Sequence, residues 1–177
     1  DQNSLRAGAD VLFSELREIS PTGGDLLAIG ADAITIRAMR RTGYACVVNY
    51  SVSPIELTTL KIGYGFRSGD SVFVFADNDP ELSGDDVWLP GRVTSMNSST
   101  TCPNGDTAER FRVEGLPSSD SVRLGATIRS FRKFTYGIYQ VDGTYYLAQV
   151  GSDGVVQPLV GPLKSPLEGG LEFEYFD

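Results

Sequence analysis

The sequence predicts an α+β fold, an N-terminal amphipathic helix packed on an antiparallel β-sheet, and three observations predict it. Apolar residues recur at helical spacing only near the N-terminus, within residues 3–20. From residue 25 onward the apolar runs are short and are separated by turn residues. Asp142-Gly143 stands between two aromatic, β-branched runs, as in a two-residue hairpin whose central positions both need positive φ. One helix followed by roughly ten short strands is the pattern of a helix covering one face of a sheet.

In the helix, Leu5, Ala9, Leu12, Leu16 and Ile19 line one face and Arg6, Asp10, Ser14, Arg17 and Glu18 the other. Val11 and Phe13 widen the apolar side, so the helix is expected to press on something broad. Pro21 and the following Thr-Gly-Gly stop it. Leu26–Ile29 and Ala33–Arg40 read as a hairpin, with Ile34, Ile36 and Ala38 on one face, and Tyr44–Tyr50 and Glu56–Ile62 as further strands. Ser71–Ala76 is apolar enough to lie deep in the sheet. Val87–Met96, Arg110–Val113 and Thr127–Tyr139 continue the series, and Tyr136, Ile138 and Gln140 run antiparallel to Tyr145, Leu147 and Gln149. Leu171–Phe176 alternates apolar and acidic residues as a half-exposed strand does. Neither a repeat nor a linker divides the chain, which is expected to form one domain, with residues 1–20 as helix and 25–177 as a β-rich head.

Composition removes functions. The 177 residues include no histidine, so Ser-His-Asp and Cys-His triads and His-built zinc sites are excluded. With a net charge of −8 and a pI near 4.5, a nucleic-acid partner is not expected. The densest basic run, Arg129–Lys133, reads as a solvated sheet edge or a local ion-pair surface, with phosphate binding as the minor alternative. No stretch reaches the roughly 18 to 20 apolar residues of a membrane span, and the mean hydropathy of −0.11 is ordinary for a globular chain.

Cys46 and Cys102 form neither a redox nor a zinc motif. Cys102 lies in the polar stretch Asn97–Asp106, which reads as an exposed loop where a free thiol would be a liability. A disulfide to Cys46 would tie that stretch down and place the protein in an oxidising compartment; the alternative is a buried Cys46 and an incidental Cys102.

Four passages, in this order, resemble type IV pilin-like proteins, specifically PilW-like minor pilins and the minor pseudopilins of type II secretion. They are the helix Leu5–Ile19 with Arg17-Glu18-Ile19-Ser20-Pro21, the strand Gly69–Phe75, the hairpin Tyr136–Leu147, and Pro158–Leu163 leading into Gly170–Asp177. The family's basic leader, its cleavage site and its Phe-initiated apolar helix are not in this sequence, nor is the further strand that the family commonly adds at the end. The resemblance implies the exported portion of a longer protein, anchored in the bacterial inner membrane by a preceding apolar helix before it joins a filament in the periplasm or at the cell surface. Leu5, Leu12, Leu16 and Ile19 would dock the helix on the sheet, other pilins or pseudopilins would be the partners, and no residue would be catalytic.

Residues 77–86 hold five carboxylates, and Asp77, Asp79 and Glu81 are spaced so as to begin a Ca²⁺ site, although the stretch fails the EF-hand pattern; otherwise no cofactor is expected. Glu172 and Glu174 share a strand face and read as edge protection rather than as a glycosidase pair. The alternative function is a secreted β-rich module for carbohydrate or another ligand, using Trp88 and the hairpin tyrosines Tyr136, Tyr139, Tyr145 and Tyr146. Asn49-Tyr50-Ser51 and Asn97-Ser98-Ser99 match the glycosylation tripeptide.

Overall fold

The computed structural model describes the chain except Asp1, Thr22, Pro80, Ser83, residues 118–120 and residues 175–177, and describes only the backbone of residues 2–5. Among the described residues one α-helix, α1 (Gln2–Arg17), precedes nine strands: β1 (Leu26–Ile29), β2 (Ala33–Asn49), β3 (Ile55–Leu60), β4 (Ser71–Ala76), β5 (Val87–Thr101), β6 (Thr107–Glu114), β7 (Thr127–Val141), β8 (Thr144–Val150) and β9 (Val156–Leu163). They form an antiparallel sheet in the order β1-β2-β3-β6-β5-β4-β7-β8-β9, with a further β2–β7 pairing. The chain divides into two compact units, residues 1–39 with 132–177 and residues 40–131, and it passes from one to the other within β2 and within β7.

The fold class is therefore mostly β and corrects the α+β expectation. Strands dominate the described residues, while the helix has 16 residues, about 24 Å. In the second unit the sheet closes on itself. The Ala45 N–H donates to the Ala126 carbonyl at 2.9 Å, and the Gly125 N–H donates to the Ala45 carbonyl at 2.7 Å, joining the first strand of the series β2-β3-β6-β5-β4 to the segment that enters β7. A closed sheet covers its own inner face. Its described core of Leu57, Val72, Val74, Val93, Phe111, Val113 and Ile128 is assembled from strands and loops of this unit. β4 is central, paired over its length with β5 and over Ser71–Val74 with β7, which is why Ser71–Ala76 reads as an uninterrupted apolar run.

In the first unit, α1 lies along β9. Gly8 is buried, and a Cβ there would overlap the Val160 side chain, so the close approach needs glycine. Leu12, Leu16 and Ile19 pack against Ile34, Ile36, Ala38 and Tyr136. The turn after α1 is tied by Asp25, which is 4% exposed and whose carboxylate accepts the Ser20 N–H at 2.9 Å. The β7–β8 hairpin has the expected geometry. Asp142 and Gly143 have φ of 49° and 79°, and Val141 pairs with Thr144. Tyr136 faces Gln149, whose amide donates to its hydroxyl at 2.7 Å; Tyr145 faces Gln140 rather than Tyr136.

Three further expectations are corrected. Residues 97–101 are part of β5 rather than a loop, because this edge of β5 pairs with β6 and its polar side chains project outward. Arg129–Lys133 belongs to β7, which has β4 and β8 as neighbours and is not an edge. Residues 171–174 form no strand; their described backbone tie is the Phe173 N–H to the Ala31 carbonyl at 2.8 Å, and the rest of that expected strand lies outside the described residues.

Cys46 of β2 and Cys102, just past β5, are joined by a disulfide across 56 positions, and Cys102 is 4% exposed rather than in an open loop. By loop-closure entropy a bridge of this span stabilises by about 4 kcal/mol. The double variant Cys46→Ser/Cys102→Ser is expected to lose about 2–4 kcal/mol in urea unfolding, against an unaltered wild type; a loss under about 0.5 kcal/mol would show that the strand pairings hold this region alone.

Candidate functional site

The acidic segment 77–86 connects β4 to β5. Its start is fixed by Arg123, which donates from Nε to the Asp77 carbonyl and from an η-nitrogen to the Asn78 carbonyl, both at 2.9 Å, and by the Asp77 N–H on the Ser121 carbonyl. Tyr50 holds that neighbouring segment in turn, its hydroxyl accepting the Val122 N–H at 2.8 Å and donating to the Val122 carbonyl at 2.7 Å. Among the described residues, the carboxylates brought together are those of Asp77, Asp85 and Asp86, with oxygens within 4.8 Å of one another. Of the triad expected from sequence, Asp77 joins this group, whereas Asp79 turns its carboxylate onto the Glu81 N–H at 3.0 Å. Three carboxylates are short of the six to eight oxygens a Ca²⁺ takes, and backbone carbonyls or water would have to supply the others.

Of the aromatic side chains proposed for ligand binding, Trp88 and Tyr136 are engaged within the protein, while Tyr139, Tyr145 and Tyr146 are half-buried. The Arg129 guanidinium covers the Trp88 ring at 4.3 Å, Phe75 meets its edge at 5.4 Å, and Phe73 stacks on Phe131 at 4.7 Å. Tyr136 is fully buried.

The connection from β3 to β4, residues 61–70, holds a feature that no motif in the sequence marks as a site. Phe66 is 5% exposed and packs on Phe111 at 4.9 Å, plugging the end of the closed sheet. Its N–H donates at 2.9 Å to Glu109, which projects from the inner face of β6 and is 2% exposed. Gly65 lies so close to this carboxylate that a Cβ would overlap it. Asp70 accepts the Arg67 N–H at 2.9 Å and pairs with Arg41 at 2.8 Å, and the Gly69 N–H donates to the Val93 carbonyl at 2.7 Å. From this pinned base Tyr64 projects 90% exposed and Ile62 45% exposed, flanked by exposed Lys61 and Arg67. The sequence signal was Gly63-Tyr64-Gly65, an aromatic residue between two glycines.

The helix residues named from sequence have a second feature beside them. Leu12, Phe13 and Leu16 form one wall of an apolar groove of about 460 Å³, with Leu147, Val160 and Leu163 opposite and Glu172 and Glu174 at its border. Leu12 and Leu16 are half-buried, Phe13 is 63% exposed and Val11 43% exposed. The side chain of Leu5 lies outside the described residues. No described helix is long and apolar enough to cross a membrane.

Burial holds the Glu109 carboxyl above its ordinary value, against the Phe66 N–H, Lys61 and Arg41, which lower it, while Asp70 raises it. With a raised folded pKa, the native state binds more protons than the unfolded state between the ordinary and the raised value, so this group's contribution falls as pH rises through that window. Glu109→Gln, which keeps an acceptor for the Phe66 N–H, is expected to gain stability relative to wild type as pH rises from acid to neutral, and Glu109→Ala to lose about 1–3 kcal/mol. Urea unfolding across pH measures both, and a wild-type-to-Gln difference that stays constant with pH would be the contrary result. No protein-family model, curated protein or solved structure matches the chain.

Proposed function

We propose that the chain is a non-catalytic assembly subunit, a minor pilin or pseudopilin contributing to the assembly or tip of a type IV pilus-like filament or type II secretion pseudopilus. The observation that carries the reading is the unspent apolar surface of α1. Leu12 and Leu16 face inward, yet Phe13 and Val11 remain exposed and the helix borders an apolar groove. Surface of this kind on a rigid element marks a protein contact. The reading uses this surface and does not need the α+β class.

The Cys46–Cys102 disulfide fits an oxidising, extracytoplasmic compartment. The bacterial periplasm or a cell-surface filament is the finer assignment that the four resembling passages favour. Other pilins or pseudopilins are the partners, and the inner membrane is reached through an apolar helix encoded upstream. Carbohydrate recognition is less favoured, since the Trp88 and Tyr136 rings already pack against protein groups.

The test is the reading frame upstream of Asp1. It is expected to encode a short basic leader, a cleavage site and a Phe-initiated apolar helix continuous with α1; a frame that begins otherwise would sink the filament reading.

A further inference from the structure

We propose that the tip of the β3–β4 connection in one copy of this chain seats in the α1 groove of a second copy, so that copies join head to tail. The inference rests on the groove being a subunit contact, as in the function proposed above, but not on which filament the protein serves.

The tip has the form of a knob. Ile62 and Tyr64 are exposed at its end, while Phe66, the Phe66 N–H bond to Glu109, the Arg67 N–H bond and the Arg41 ion pair to Asp70, and the tie to Val93 hold its base. A loop already ordered in this way loses little conformational entropy when it binds, and tyrosine gives a large contact area for two rotatable bonds. The structure also spends stability on this arrangement, since it buries a carboxylate to fix the Phe66 backbone. A loop with no task at its tip could have been anchored by a neutral side chain.

The groove is a matching hole. Its volume of about 460 Å³ falls in the range of roughly 300–1,000 Å³ that encloses small ligands, enough for two side chains, and its walls are aliphatic and aromatic. The charges match as well. Lys61 and Arg67 flank the knob, and Glu172 and Glu174 border the hole, all four exposed. A net charge of −8 keeps copies of this chain apart at most orientations, and this basic knob against an acidic border is an orientation in which the repulsion is locally reversed. Tyr64 is 90% exposed, so its ring is available to a second copy. Knob and hole are different surfaces, which makes the contact heterologous: it propagates as an open chain or closes as a ring, rather than stopping at a two-fold dimer.

Sedimentation velocity on the chain over a concentration series at low ionic strength is expected to show species larger than dimers, reduced by added salt. Tyr64→Ser and Phe13→Glu, both at exposed positions, are each expected to weaken association at least about tenfold, with circular dichroism unchanged. The variants keep complementary surfaces, so their equimolar mixture should form one-to-one dimers and stop there. A wild-type chain that stays monomeric at about 1 mM overturns the proposal. So does association that survives either substitution, or a mixture that fails to pair. An upstream frame without the leader would remove the filament reading and leave these results standing; a monomeric chain with the leader present would do the reverse.

Discussion

The hydrogen bonds that join Ala45 to Gly125 and Ala126 close the sheet of the second unit, and most of what that unit does follows from the closure. A flat antiparallel sheet has an apolar face that something else must cover; a closed one covers itself. Leu57, Val72, Val74, Phe111 and Ile128 therefore meet one another across the interior, and the unit needs no helix for its core. Closure also removes the exposed edges at β2 and β7, along which the open ends of the series would otherwise invite other strands. The ends of the closed sheet then become the places where loops must do the covering.

At one end that requirement produces the arrangement around Glu109. Phe66 supplies the apolar plug, and the backbone that carries it has an N–H that must be satisfied away from water. A carboxylate satisfies it strongly but is itself expensive to bury, and Arg41 and Lys61 offset part of the penalty. The disulfide links β2 to the turn between β5 and β6 through Cys46, the residue after Ala45, so a covalent tie and the closing hydrogen bonds act on adjacent positions of β2. The two constraints act on different quantities. The hydrogen bonds define which strands are neighbours, and the disulfide limits the unfolded ensemble that competes with that arrangement.

Much of the local structure was legible. The α1 periodicity, the Ser71–Ala76 run and the Asp142-Gly143 turn each express short-range physics, namely spacing, burial on both faces and positive φ. What was not legible depends on partners distant in the chain. Residues 97–101 look like a loop by composition and become strand because β6 pairs with them. Asp79 and Glu81 look like cation ligands by spacing, but a local turn takes Asp79, and Asp85 and Asp86 fold back to Asp77 from beyond it. The knob at Tyr64 offered only an aromatic residue between glycines; its significance comes from Glu109, far along the chain and on another strand.

By itself the sequence determined the helix and its stop, most of the strands, the hairpin register of β7 with β8, and the loss of histidine chemistry, because each of these is decided within a few residues or by composition. The Cys46–Cys102 bridge was also expected from the sequence; only the tertiary structure decided that the sheet closes, that Trp88 is covered by Arg129, and that α1 leaves an apolar groove beside Phe13. The physical reason is plainest for the closure. Alternating apolar and polar residues specify that a strand has one buried face, but the same alternation suits a sheet covered by a helix and a sheet rolled onto itself. The choice rests on long-range pairing between β2 and β7, which no local pattern encodes.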